Sequence, residues 1–337
     1  MILSYKPEEL PEEWDEAAKD NIYLSREFIK FMEKADSVPK KYYAVINNGK
    51  IDTVFMTQER KGYNLAMFTE RDLKVKMTLI YVPLSVTRAG IEYGECLEEA
   101  MQFVRKLPGY KIFLNLPDMS PKGYAKGLTC PKCELRLRWN SFEEYMNALR
   151  SNYRYRFLKA LKKSSPLKIR YLDSPAEFTP EMYRLYENTY NKSRIRVEKL
   201  SLEFFRGKFF KIFVVEDGEG VRGFVQLLEH GDELVFEFVG LDYTVHQKYD
   251  TYLFMLLEIV RYGIEHGFKT IDFGQTADDA KLKLGCDYIY LYAYVTHKNP
   301  IIHALCKRIA PKIEYKPLTA KFSVFKEENG ERTSTQG

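Results

Sequence analysis

The chain has 337 residues, 45% of them hydrophobic, with a net charge of +5 at pH 7. That length suits about two folded domains, and the composition excludes an intrinsically disordered chain. The charge is too small for a histone-like nucleic-acid binder, and no apolar run approaches the ~20 residues that a membrane span needs.

The opening stretch "MILSYKPEELPEEWDEAAKD" is acidic and has no apolar signal segment, so a cytoplasmic protein without integral membrane contact is expected. "SREFIKFMEKA" (25–35) predicts a short helix capped by Ser25. Two apolar runs then flank Asn47-Asn48-Gly49, where Asn-Gly tolerates the positive φ of a tight turn, so a β-hairpin is predicted. "MTLIYVPL" reads as a strand, "YGECLEEAMQFVRKL" (93–107) as an amphipathic helix ended by Pro108-Gly109, and "KIFLNL" as a strand. Residues 116–132 read as a hinge-like segment.

Next comes "NSFEEYMNALRSNYRYRFLKALKKSSP". Ser141 followed by Glu144 is a capping box. Phe142, Met146, Leu149, Tyr153, Phe157 and Ala160 recur at helical spacing, and Pro166 bars continuation. One helix over 141–163 is predicted. Arg150, Arg154, Arg156, Lys159, Lys162 and Lys163 fill the rest of its circumference. Such a face is either solvated or grips an anion, since Arg forks match phosphate and Lys adds diffuse charge.

The order of elements then recurs. "EMYRLYENTYNKS" reads as a helix and residues 210–243 as a strand meander. "YLFMLLEIVRYGIEHG" is a helix closed by Gly267, and "FKTIDFG" a strand. Two halves of this kind predict a mixed α/β fold made of a duplicated unit. The expected division is an N-terminal domain over 1–136, a C-terminal domain over 137–326 and a disordered tail over 327–337.

Three features together resemble the Fem-type and related acyltransferases of the GNAT superfamily. They are "WNSFEEY" opening into an Arg-rich helix, "LYENTYNKSRIRV", and "YDTYLFMLLEIVRYGIEHGFKTIDFG" followed by "KLKLG". The resemblance covers residues 137–296, and residues 20–115 by element order only. It implies tandem GNAT-like domains and an N-acyltransferase. The acyl or aminoacyl group would pass from acyl-CoA, acyl carrier protein or aminoacyl-tRNA to a small-molecule or peptide amine. No permanently bound cofactor is implied. An aminoacyl-tRNA-dependent Fem-type transferase acting on a peptidoglycan precursor or peptide is one alternative. A non-catalytic anion-binding module on the same fold is another. The usual Gly-rich pyrophosphate loop is missing at "DYTVHQKYDTYLF" (242–254), and Asp250 there is a poor neighbour for a phosphate.

Amide formation needs a neutral amine, a stabilised oxyanion and a base that works near neutrality. Asp272 at a strand end either takes or orients the amine proton, or caps the next turn. Gln275 is a candidate oxyanion or substrate contact, and Tyr243 a candidate proton donor to the leaving group. The resemblance implies that Lys281 or Lys283 faces the donor. The basic helix, with Arg150 and Arg154, is expected to border the donor groove. Tyr190, Lys192 and Arg194 stand where the family carries its acceptor-binding residues. The groove is expected in the C-terminal half. Cys130-Pro131-Lys132-Cys133 is a lone CxxC with no second pair at finger-like spacing, so no metal is expected.

Overall fold

The structure is a computed structural model, and it describes residues 1–19, 21–36, 38–84, 86–193 and 198–326. The first strands are β1 (Ile2–Tyr5), β2 (Lys40–Asn47), β3 (Lys50–Asn64), β4 (Lys74–Ile80), β5 (Ile91–Tyr93), β6 (Tyr110–Leu116) and β7 (Ala125–Leu128). They are followed by β8 (Lys132–Arg136), β9 (Lys168–Tyr171), β10 (Phe210–Asp217), β11 (Gly220–His230), β12 (Glu233–Leu241), β13 (Thr270–Asp272), β14 (Asp287–Ile289) and β15 (Tyr292–His297). The helices are α1 (Glu13–Ala18), α2 (Arg26–Ala35), α3 (Leu97–Lys106), α4 (Phe142–Ala148), α5 (Ser151–Lys163) and α6 (Pro180–Lys192). Five more follow: α7 (Leu202–Phe205), α8 (His246–Tyr249), α9 (Thr251–Glu265), α10 (Asp278–Leu282) and α11 (Pro300–Ile313).

The strands form two mixed sheets of the same plan. Each has an antiparallel meander whose last strand pairs in parallel with a strand that follows a helix: β4 with β6, and β12 with β13. This is the duplicated unit expected from the sequence. Local chemistry fixes the first elements as read from the sequence. Ser25 Oγ accepts the Phe28 N–H at the start of α2. Asn48 and Gly49, with φ of 49° and 77°, make the turn between β2 and β3.

Sheet membership does not follow a division at residue 136. Beside β6 lies β15, from the far end of the chain, and beside β13 lies β8. The two halves have thus exchanged strands reciprocally. Residues 116–132 are therefore not a hinge: β7 lies within them and pairs with β15 at the sheet edge. The halves also share a core, in which Phe28 and Met32 of α2 pack with Phe204, Phe205 and Phe210.

The helix predicted over 141–163 is two helices. Leu149 and Arg150 are extended, with ψ of 144° and 152°. The C-terminal segment pairs with them there. The Arg150 N–H donates to Val324 O and the Lys326 N–H to Ala148 O, each at 2.9 Å, and Leu149 bridges Phe325. Backbone bonds to a distant strand replace the intrahelical ones. The apolar stripe is kept across the break: Phe142, Met146, Leu149, Phe157 and Ala160 are all buried.

Candidate active site

β12 and β13 pair only at Glu233/Thr270, Leu234/Ile271 and Val235/Asp272. Beyond that they part. β12 continues along β11 to Leu241, whereas the Phe273 N–H turns to Cys133 O at 2.9 Å on β8. The gap opens into a cavity of about 900 Å³ lined by both halves, so the groove is not confined to the C-terminal one.

A β-bulge sits at the mouth of this gap. Leu227 pairs Phe236 and Gln226 pairs Phe238, leaving Glu237 as the extra residue. Bulges re-aim side chains, and Glu237 lines the cavity. Its Oε1 accepts the Tyr23 hydroxyl, while Oε2 is sealed from solvent with no hydrogen-bond partner among the described residues. Burial pushes its carboxyl up to about 8; the Tyr23 bond opposes the shift and the Asp272 charge reinforces it. Glu237 was not among the residues picked from the sequence. The available signal was a lone acid inside the apolar run "LVFEFVG".

Asp272 also lines the cavity and is buried, but both of its oxygens are engaged. Oδ1 accepts the Gly274 N–H at 2.7 Å, and Oδ2 accepts the Thr87 hydroxyl with Lys132 Nζ 3.8 Å away. Lys132 in turn pairs with Glu134 at 2.9 Å and Glu233 at 2.6 Å, and Arg88 also binds Glu233. Burial raises the Asp272 carboxyl, with Lys132 and Thr87 pulling the other way.

After Asp272 the backbone enters the left-handed region at Gly274 (φ 72°), Thr276 (65°) and Ala277 (53°). Two adjacent non-glycine residues there mark stored strain, a feature that collects at functional sites. The loop is held from both sides. Gln275 Nε2 donates to Cys130 O at 2.6 Å and to Asn115 Oδ1 at 3.1 Å. The buried Lys281 donates from Nζ to Gln275 O at 3.0 Å, and burial lowers its pKa.

On the facing wall, Lys192 Nζ lies 3.8 Å above the Tyr243 ring, and Tyr190 stands beside them. Arg194 lies outside the described residues. The cavity thus gathers Asp272, Gln275, Tyr243, Lys281, Tyr190 and Lys192. Lys283 is elsewhere, paired with Asp279 at 2.6 Å.

A second cleft, of about 360 Å³, adjoins through His246 and Tyr252, which line both spaces. Its cations are Arg156, Lys159 and Lys163 of α5, facing the N-terminus of α9. Asp250, which caps α9 at φ 50°, is paired with Lys163 at 3.0 Å. Arg150 and Arg154 line neither space. The Arg150 guanidinium donates from Nε to Phe325 O at 3.0 Å and so secures the C-terminal segment.

The cysteines are free and buried. Among the described residues no group of three or more His, Cys, Asp or Glu could hold a metal ion, and no helix is long and apolar enough to cross a membrane.

Residues 147–282 match the family described as acetyltransferase (GNAT) domain. That span holds the bulge, the strand gap and Lys281. No curated protein matches the chain by sequence. Among solved structures, FemX aligns at a TM-score of 0.50 and 11% identity, over 80% of this chain and 90% of that one. The C-terminal DUF2156 domain of a candidate lysylphosphatidylglycerol synthetase from Agrobacterium fabrum aligns at 0.50 and 10%, over 77% and 84%. A conserved protein of unknown function from Bacteroides thetaiotaomicron aligns at 0.50 and 8%, over 83% and 92%. At such identities the likeness is one of fold. Residues 147–282 thus form a GNAT acetyltransferase domain, which makes the chain an acyltransferase, and the chain as a whole shares its fold with FemX.

Proposed function

We propose that the enzyme transfers an acyl or aminoacyl group from an activated, phosphate-bearing donor to an amine, with the reacting carbonyl seated in the gap between β12 and β13. The observation that carries this reading is the Glu237 carboxyl, delivered to the gap by a bulge and buried there, which pushes its pKa up to about 8. A general base is most effective when its pKa lies near the working pH. The amine attacks the carbonyl of the thioester or ester, and Glu237 takes its proton. The oxyanion is met by backbone N–H groups on the unpaired edge of β12. The tetrahedral intermediate collapses to the amide, and the proton held by Glu237 passes to the departing sulfur or oxygen, so that the thiol or hydroxyl leaves and the carboxylate is restored. Asp272 is a positioning residue, because its oxygens already hold Gly274 and Thr87. Lys281 fixes the loop through Gln275 O. Lys192, Tyr190 and Tyr243 form the acceptor side.

Donor phosphates would lie in the cleft under Arg156, Lys159 and Lys163 at the α9 N-terminus, where charge and backbone N–H groups both favour an anion. This replaces the missing Gly-rich loop with side-chain charge. The exposed cationic face of α5, including Lys162, also favours aminoacyl-tRNA as donor, because a polynucleotide uses phosphate contacts outside the cleft. The test is a donor panel of acetyl-CoA, palmitoyl-CoA, palmitoyl-acyl carrier protein and alanyl-tRNA, each offered mixed amines, with amide products read by mass spectrometry. One donor class should be consumed, and Glu237→Gln should slow it by about 10²–10⁴-fold. A wild-type rate in that variant would remove Glu237 from the mechanism.

A further inference from the structure

The polar reacting end occupies only part of the large cavity. The remainder lies between α11 and the face of the first sheet formed by β4, β6, β15 and β7. In α11, Ile302, Leu305, Ile309, Ala310 and Ile313 recur at helical spacing and all line the cavity. Such a stripe is ordinarily packed away. Here Cys306 is the one buried residue described for the helix, and Leu305 remains 52% exposed. Opposite it, Val75, Leu114 and Ala293 are likewise only half-buried, around the buried Ile112 and Val295. Ile302 and Ala310 pack against that buried cluster, and the other apolar side chains of both walls border the cavity.

Most of the charged lining residues are those of the reacting end: Lys192, Glu237, Asp272 and Lys281; Glu198 is held by Arg60 and the Tyr81 hydroxyl. The exception on the α11 side is Glu314, whose Oε2 accepts the Leu128 N–H at 2.9 Å. That end of α11 is pinned. The Tyr315 N–H donates to Leu128 O at 2.9 Å, and a Cβ added at Gly127 would stand 3.4 Å from Ala310 O. Towards the opposite end of the helix Ile301 is 78% exposed, and Leu305 lines the cavity. The chamber is therefore apolar on both walls, closed at one end and continuous with the reacting groups at its side.

We infer that this chamber binds the hydrocarbon chain of a substrate whose polar head reaches the β12/β13 gap; the assignment rests on the acyl-transfer reading of that gap. Water gains no hydrogen bonds from such walls, whereas a methylene chain transfers its apolar surface out of water. The chain arrives either as the fatty-acyl group of the donor or as the tail of a lipid-like amine acceptor, and both present the same chemistry to the walls.

The probe is cis-parinaric acid, whose fluorescence rises in an apolar site. Saturable enhancement, displaced by palmitic acid, is expected with the whole protein. Ile309→Trp and Ala310→Phe should each weaken it by about tenfold or more, with unchanged melting temperature. Two independent variants guard against one that misfolds. Displacement by palmitoyl-CoA, with the palmitoyl group then found on an amine, assigns the chamber to the donor. Displacement by dodecylamine, with the dodecylamide as product, assigns it to the acceptor. Saturable binding without transfer to any amine leaves the chamber assigned and overturns the reaction. No saturable binding, or binding unchanged in both folded variants, overturns the chamber.

Discussion

Thr87, in the N-terminal half, donates its hydroxyl to Asp272 Oδ2 at the tip of β13 in the C-terminal half. The bond joins the two halves beside the gap where the chemistry is placed. It also accounts for one oxygen of a buried carboxylate whose nearest cation is 3.8 Å away. Thr87→Val keeps the shape and removes the hydroxyl. Leaving a buried acceptor short of a partner should destabilise the fold by about 1–3 kcal/mol, read in denaturant melts. A change within error would mean that Lys132 alone satisfies Asp272.

Leu149 is fully buried although it lies outside both flanking helices. Leu149→Ala should cost about 2–5 kcal/mol by the same measurement. A loss below about half a kcal/mol would put the side chain outside the core.

Glu237 makes stability depend on pH in a defined direction. Its folded-state pKa, about 8, lies above the ordinary carboxylate value, so the folded chain holds a proton that the unfolded chain has released. Its contribution is fully present below the unfolded value and is lost as pH rises toward 8. Glu237→Gln, which cannot ionise, should flatten the stability profile across that window. Transfer by the wild type should rise with pH through the same range, because the base must be deprotonated. Profiles of the two proteins that coincide would contradict both statements.

The cleft beneath α5 supplies charge rather than a glycine cradle. Replacing Arg156 and Lys159 together by Ser should raise KM for the phosphate-bearing donor and leave kcat nearly unchanged. Wild-type KM should also rise with salt, since partly exposed charges are screened over about 10 Å at 0.1 M. A KM insensitive to both would place the phosphates elsewhere.

Burial pushes the Cys130 and Cys133 thiols up to about 12. They should resist iodoacetamide in the folded protein and react on unfolding. A chelator should leave the melting temperature unchanged, and stoichiometric zinc on elemental analysis would refute this.

What the sequence made legible was what is decided locally. Asn48-Gly49 needs only its own φ preferences, and Ser25 only the next turn of chain. The apolar stripe from Phe142 to Ala160 was readable because helical spacing names a buried face whatever bends the axis. The break at Leu149 was not, since its cause is a strand at 324–326. The reciprocal placement of β8 and β15 was hidden for the same reason. Strand pairing at long sequence range leaves no local mark. At the site, Asp272 stood out by its strand-end position. Glu237 needed the bulge to turn it toward the cavity, and a bulge is set by the register of two strands.

The exchanged strands also dictate the order in which the protein can be completed on the ribosome. β6 and β7 are joined only through β15, residues Tyr292–His297. Until that segment emerges, the first-made sheet carries an unpaired edge at β6, and such edges pair readily with other chains. The sheet made from the earliest residues is thus the last to close. During most of its synthesis the nascent chain exposes a sticky strand, and a ribosome stalled before residue 292 would release a fragment prone to self-association rather than a folded half.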